Sequence, residues 1–205
     1  MRRAVDVVVS AAALVFLAPF LAVVAAAIKL TSHGPVLFTQ ARAGRGGAEF
    51  TIYKFRTMRP QRHPDEADSA RLTAAGRALR ASSLDELPQL YNVLVGDMSL
   101  IGPRPTLPEQ VVHYSAHQRR RLEVRPGLTG WAQVNGRNSI SWPERIELDI
   151  HYVDNRSLRL DLEIVSRTLR LLARPDGITH ASGENPGFPV PAADAPPERG
   201  DAAGS

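Results

Sequence analysis

One stretch of the chain departs sharply from the rest in its pattern of hydrophobic and polar positions. Residues 11–28 carry no charge and no polar side chain. With Ala4, Val5 and Val7 to Val9 the apolar run reaches about 25 residues, roughly 37 Å as a helix, which is long enough to cross a bilayer. Three readings of this run compete: a signal peptide, a straight membrane anchor, and a helix that enters the membrane and returns. Arg2, Arg3 and the small residues Ala25 to Ala27 suit a signal, but the apolar core is too long and Asp6 stands where only positive charge is expected. Arg2 and Arg3 on one flank and Lys29, Arg42 and Arg45 on the other all favour the cytoplasmic side, which a straight span does not satisfy. Pro19 removes a mid-helix hydrogen bond to Val15, so it either merely bends a span or turns the helix back.

Beyond this run, Val36 to Gln40 and Phe50 to Arg56 read as strands joined by a Gly/Arg-rich turn. Arg59 to Ser69 has no periodicity and reads as a loop. Leu72, Ala75 and Leu79 predict a helix over 70–81. A second helix is predicted from Leu87-Pro88 to Val95, stopped by Gly96. Charged helices follow at 113–124 and 143–153. The last, at 158–173, carries Leu158, Leu162, Val165, Leu169 and Leu172 along one side. From Pro175 onward the periodicity is gone and a disordered tail is expected. The fold class is mixed α/β, mostly helical, in one compact domain with the apolar run as its first helix.

Composition removes several alternatives. The 205 residues suffice for one domain. The absence of cysteine excludes disulfides, thiolate metal sites and a cysteine nucleophile. All but two of the 25 basic residues are Arg, the exceptions being Lys29 and Lys54, and 21 acids leave a net charge of +4. That excess is too small to argue for a nucleic-acid-binding protein.

The candidate chemistry is densest at 80–105. Ser83 and Glu86 have the spacing of a capping box, which makes the Asp85-Glu86 pair an ordinary first-turn feature when taken alone. However, Arg80 precedes the pair, and Pro103-Arg104-Pro105 follows it. Two carboxylates beside arginines suit phosphoryl chemistry with a hard cation. Lys54 and Arg56 put two cations at a strand end. The segment 125–137, with three glycines and Arg137, is a loop able to wrap a phosphate or nucleobase. Asp149 and Asp161 read as surface acids.

Together, Lys54-Phe-Arg-Thr-Met, Ser83-Leu-Asp-Glu-Leu-Pro-Gln-Leu-Tyr-Asn-Val-Leu, Gly96-Asp-Met-Ser-Leu-Ile-Gly-Pro-Arg-Pro, Arg125-Pro-Gly-Leu-Thr-Gly-Trp-Ala-Gln-Val-Asn-Gly-Arg and Leu148-Asp-Ile-His-Tyr-Val resemble the bacterial sugar transferases, the monotopic phosphoglycosyl transferases, over about residues 3–175. The resemblance implies transfer of a sugar-1-phosphate from a UDP-sugar to polyprenyl (undecaprenyl) phosphate, the first membrane step of exopolysaccharide, O-antigen, capsule or glycoprotein glycan assembly. It implies Asp85 as the nucleophile forming an aspartyl-phosphosugar intermediate with release of UMP. Glu86 is then expected to assist the acceptor, and Mg²⁺ to lie between Asp85, Glu86 and the phosphates. Lys54, Arg56, Arg80, Arg104 and Arg137 are expected to bind phosphate or substrate. Asp149 and Asp161 take structural or metal-related roles.

The resemblance also implies a re-entrant helix over 1–33, broken at Ala18-Pro19 where the family has Ser-Pro. A catalytic domain at 34–175 then sits on the cytoplasmic face of the bacterial inner membrane, ahead of the tail at 176–205. Because the chain begins at the re-entrant segment, it looks like the family's minimal form. Expected partners are the UDP-sugar, polyprenyl phosphate, membrane lipid and downstream glycosyltransferases, with no nucleic acid. The rival readings are a noncatalytic membrane-anchored module binding anionic lipid or nucleic acid, and a secreted hydrolase freed by signal cleavage.

Overall fold

The computed structural model describes residues 2–63, 66–136 and 139–173. The tail expected at 176–205 lies outside them. Helix α1 (Arg2–Thr31) leads into an antiparallel hairpin of β1 (Leu37–Ala43) and β2 (Glu49–Phe55), with Leu37 opposite Phe55 and Ala43 opposite Glu49. One helical turn, α2 (Asp68–Arg71), precedes α3 (Ala74–Ala81), whose N-terminus is capped by the Thr73 hydroxyl accepting from Gly76 N at 2.9 Å. A 3-10 turn at Leu84–Glu86 enters α4 (Gln89–Val95). Gly96 ends α4 in the left-handed region, φ 104°, where a side chain would be strained.

Strand β3 (Ser99–Ile101) pairs in parallel with β4 (Gly127–Thr129). Between them come α5 (Pro108–Val111) and α6 (Ala116–Arg119), and after them α7 (Trp131–Val134), α8 (Trp142–Asp154) and α9 (Leu158–Ala173). The mostly helical α/β composition is as expected. The helix expected over 113–124 is broken up: a Ser115/Gln118 capping box starts α6, and a 3-10 turn at Arg120–Leu122 directs Arg121 and Leu122 inward.

Among the described residues, four small apolar clusters hold these pieces together. Ile52 of β2 packs on Val93 of α4 and on Met98, while Val111, Tyr114, Leu122, Ile146 and Ile150 join α5 and α8 to Ala43 at the end of β1. Tyr152, Leu160 and Ile164 join α8 to α9. The leucine stripe on α9 faces outward: Leu158, Leu162, Val165, Leu169 and Leu172 are all exposed, and Leu160, Asp161 and Ile164 turn in.

Helix α1 belongs to this core. It continues unbroken through Ala18 and Pro19, so a break at that pair is not a feature of the structure. Its buried residues are Asp6, Ser10, Val24 and Ile28. Residues 6 and 24, like 10 and 28, are five helical turns apart at 3.6 residues per turn, so a single stripe docks along the helix. Near the start, the Asp6 carboxylate accepts from Ser99 Oγ at 2.9 Å and from Leu100 N at 3.0 Å, and Arg3 donates to the carbonyl of Leu94 at 2.7 Å. Near the end, Val24 and Ile28 pack on Phe55 and Leu79. The opposite face offers Val5, Val8, Val15, Phe16, Phe20, Val23 and Leu30 to the surroundings, with Phe16 85% and Leu30 87% exposed.

Asp6 is therefore a docking residue, and an unmatched buried donor costs more than an average hydrogen bond contributes. Asp6→Ala is expected to cost about 2–3 kcal/mol, with charged hydrogen bonds lost at two donors. Denaturant unfolding in detergent measures this, and a cost below about 0.5 kcal/mol would show that the contact does not hold α1.

Candidate active site

The site begins with how α4 is fixed to β2. Asn92 is fully buried. Its amide donates to Thr51 O at 2.7 Å and its Oδ1 accepts from Tyr53 N at 3.2 Å. Both bonds go to the backbone of β2 beside Lys54, so the turn that opens α4 is set against that strand. In this turn Ser83 takes the left-handed conformation, φ 57°, which non-glycine residues avoid and which costs on the order of 1 kcal/mol or more. Ser83 makes no side-chain cap, so the capping box expected of Ser83 and Glu86 does not form. Glu86 reaches across instead. Its Oε1 accepts from Lys54 Nζ at 2.7 Å and from Arg104 Nη2 at 2.6 Å.

Arg104 is held through its backbone. The Pro103 carbonyl accepts from Gly127 N at 2.8 Å and the Thr106 carbonyl from Ala43 N at 2.9 Å, which strings the Pro103-Arg104-Pro105 segment between β4 and β1. Arg121 Nη2 donates to the carbonyl of Arg104 itself at 3.0 Å. Arg121 also donates to Asp149 at 2.5 Å and to the Tyr114 hydroxyl at 2.6 Å. Both side chains of the Arg121–Asp149 pair are 1% exposed. Removing one member would leave an uncompensated buried charge. Asp149 is thus a buried positioning acid, not a surface one.

The two adjacent carboxylates have opposite electrostatics. Burial would raise Glu86, but Arg104 and Lys54 outweigh it and hold the carboxyl far below the usual range. Asp85 makes no ion pair among the described residues, and burial, reinforced by the Glu86 charge, pushes it up to about 6. Lys54, Arg80 and Arg104 pull it back in part. Burial, together with Arg104, lowers Lys54, against the pull of Glu86. The arrangement gives one permanently charged carboxylate that orients two cations beside a more basic, unclamped one. That suits a nucleophile facing a phosphorus atom whose oxygens need neutralising.

Of the other residues singled out, Arg80 stands at the rim, its Nε donating to Thr57 Oγ1 at 3.0 Å. Arg56 is not brought to the site. Its guanidinium donates to the carbonyls of His33 and Ser32, both at 2.8 Å, and caps the end of α1. Asp161 is tied to Arg2 at 2.7 Å and to the Tyr152 hydroxyl at 3.0 Å, joining α9 and α8 to the start of α1. Arg137 lies outside the described residues. In the glycine loop, a side chain at Gly127 would sit 2.1 Å from Gly102 N, so that glycine serves close backbone approach. Sequence reasoning missed Asn92 and Arg121 as positioning residues. It weighed Asp6 only as an oddity, although an acid inside an apolar run was the available signal.

Among the described residues no group of three or more His, Asp or Glu forms a metal cluster. Mg²⁺ needs less than that, because it keeps waters and takes one or two carboxylates plus substrate phosphates. With Glu86 engaged by two cations, Asp85 is the carboxylate left to hold such an ion, which fits a metal arriving with phosphates more closely than a protein-built cage.

The family model described as "Bacterial sugar transferase" matches residues 1–175. The chain belongs to the bacterial sugar transferase family. Among its similar relatives within this membrane-associated family is the sugar transferase EpsL of Bacillus subtilis, 52% identical over 159 residues that cover 75% of this chain and 77% of the relative. A UDP-glucose:undecaprenyl-phosphate glucose-1-phosphate transferase of Caulobacter vibrioides is 48% identical over 85% of this chain and 70% of its own length. A UDP-N-acetylgalactosamine-undecaprenyl-phosphate N-acetylgalactosaminephosphotransferase of Aeromonas hydrophila is 41% identical over 83% of this sugar transferase, which spans 43% of that relative.

If this sugar transferase uses Asp85 as a carboxylate, its rate rises with pH through about 6, since the protonated acid is no nucleophile. Below that point it should fall about tenfold per pH unit. Arg80→Gln, which removes one charge that pulls Asp85 down, should move the midpoint upward. A profile flat from pH 5 to 8 would contradict the assignment.

Proposed function

We propose that this protein is a phosphoglycosyl transferase that moves a sugar-1-phosphate from a UDP-sugar to polyprenyl phosphate at the cytoplasmic face of a bacterial inner membrane. The observation that carries the reading is the unclamped Asp85 beside a Glu86 fixed between Lys54 and Arg104. The names of the relatives supply the two substrates.

In this reading a carboxylate oxygen of Asp85 attacks the phosphorus that bears the sugar. The bond from that phosphorus to the bridging oxygen breaks, UMP leaves with the bonding electrons, and an aspartyl-phosphosugar remains. An oxygen of the polyprenyl phosphate then attacks the same phosphorus. The bond to Asp85 breaks, restoring the carboxylate and giving a polyprenyl diphosphate sugar. The bond from the sugar's anomeric carbon to oxygen is never cut, so anomeric configuration is kept. Lys54 and Arg104 bind the phosphate oxygens, arginine in a two-pronged way, and Arg80 supplies further positive charge at the rim. Glu86 is too weak a base to take a proton near neutrality. The acceptor needs no base there, since a phosphate monoester with a second pKa of about 6 is already largely ionised. We therefore assign Glu86 to orienting the two cations. Mg²⁺, held by Asp85 and the substrate's phosphates, would neutralise charge on the leaving phosphate.

The membrane reading rests on α1. Both of its ends dock on one domain, which argues against carrying them to opposite sides of a bilayer, and its outward face is apolar. The outward leucine stripe of α9, tied to α1 through Arg2 and Asp161, supplies a second apolar face. A helix seated in one leaflet by its apolar face, with both flanks on the cytoplasmic side, suits this arrangement better than a straight span.

UMP release from a panel of UDP-glucose, UDP-galactose and UDP-N-acetylgalactosamine tests the proposal. With polyprenyl phosphate and Mg²⁺ at least one donor should be turned over, and Asp85→Asn should cut the rate by three orders of magnitude or more. If Asp85→Asn kept full activity, the assignment would be wrong.

A further inference from the structure

At the N-terminal end of α1, away from Asp85, lies a polar cavity of about 110 Å³. Among the described residues, five arginines line it, Arg2, Arg3, Arg45, Arg125 and Arg156, together with two carboxylates, Asp6 and Glu123. None of the residues of the Asp85 site contributes to its wall. We propose that this cavity is a second anion site of the protein, shaped for a phosphate group and separate from the catalytic one.

The charge balance is the first argument. The Asp6 carboxylate is engaged by Ser99 and the N–H of Leu100, and Glu123 is drawn to Arg120 at 3.8 Å. Arg2 has Asp161 as its partner. Arg3, Arg45 and Arg125 have no carboxylate partner among the described residues. They are fixed by neutral carbonyls instead: Arg3 by Leu94 O at 2.7 Å, Arg45 by Glu123 O at 3.0 Å and Arg125 by Gly96 O at 2.8 Å. Each of these bonds fixes a guanidinium in place without neutralising it and uses only part of its five donors. Converging, preorganised and uncompensated guanidinium groups are the arrangement that matches phosphate oxygens, because their forks bond in pairs and little entropy remains to be lost.

The cavity's lining sets the ligand class, because five guanidinium forks around one polar space bond phosphoryl oxygens in pairs. Its position sets the source. Asp6 in the wall is one residue from Val5 and two from Val8, both on the outward apolar face of α1. A phosphate seated here therefore lies where that face begins. The phosphodiester of a lipid headgroup and free phosphate share this chemistry, and the geometry of α1 favours the headgroup.

The test uses the full chain in an uncharged sugar detergent, its melting followed against sodium phosphate and, separately, against short-chain phosphatidylglycerol, with sodium chloride at matched ionic strength. Both probes should raise the melting temperature saturably, phosphatidylglycerol at lower concentration. A response to phosphatidylglycerol alone would assign the site to the headgroup. Arg45 and Arg156 are exposed, so Arg45→Gln with Arg156→Gln should fold and weaken the apparent affinity at least tenfold. The matching Arg45→Lys and Arg156→Lys pair, which keeps the charge but loses the paired donors, should recover only part of it. Arg104→Gln, which alters the catalytic site, should change it less than twofold. The proposal is overturned if neither probe stabilises the wild type, if the Gln pair responds as the wild type does, or if Arg104→Gln abolishes the response. None of these outcomes bears on UMP release, which tests the catalytic reading on its own.

Discussion

The carboxylate of Glu86 is shared between Lys54 and Arg104, and that one contact gathers segments 32 and 18 residues away into a single site. Lys54 comes from β2 and Arg104 from the loop after β3. Two cations so close repel each other, and burial further disfavours the charge on Lys54. Without the anion between them they would be pushed apart, and Lys54 would give up its proton more readily. The same charge acts on Asp85 next door, adding to burial in raising its carboxyl. A carboxylate that titrates near 6 is more basic than an ordinary one and still ionised at neutral pH. The interaction that assembles these two cations therefore also tunes Asp85, the proposed nucleophile.

Around this contact the fold is a set of braces. Asn92 pins α4 to β2, Arg121 with Asp149 fixes the carbonyl of Arg104, and Asp6 pins α1 to β3. All three are buried polar groups in a protein whose apolar clusters are small, where a misplaced polar group costs as much as a lost core side chain. Because α1 is one of the braced elements, its outward apolar face and the Asp85 site belong to one body. The site is thereby held at a fixed position relative to that face, which is what the proposed reaction between a soluble nucleotide sugar and a lipid-borne phosphate requires.

Local patterns in the chain were read well where local physics decides them. Pro88 and Gly96 bracket α4 as expected, the hairpin strands fall within a few residues of their predicted spans, and α9 runs over the expected residues 158–173. The Asp85-Glu86 pair was legible as a candidate site with Lys54, Arg80 and Arg104, because an arginine before the pair and a Pro-Arg-Pro after it suit phosphoryl chemistry. What was not legible depends on contacts distant along the chain. Glu86 had the spacing of a capping residue, and only the approach of Lys54 and Arg104 gives it another partner. Arg56 sits two residues from Lys54, a spacing that would keep both on one face of a continued strand, but β2 ends at Phe55 and Arg56 turns to the carbonyls of Ser32 and His33 after α1. Asp149 needs Arg121, which an expected helix over 113–124 would have placed among solvent-facing charges.

The arginines that dominate the basic residues divide into a set that serves the fold, as Arg56 and Arg121 do, and a set gathered at the catalytic pair and the cavity beside α1. The central claim concerns the first bond made at the catalytic pair. Its most direct test is the mass of the intact protein after mixing with a UDP-sugar it turns over, in the absence of polyprenyl phosphate. The account predicts a gain of one sugar phosphate, located on the peptide containing Asp85, absent in Asp85→Asn and discharged when polyprenyl phosphate is added. An unchanged mass, with UMP formed only once the acceptor is present, would mean direct transfer between the substrates and contradict it.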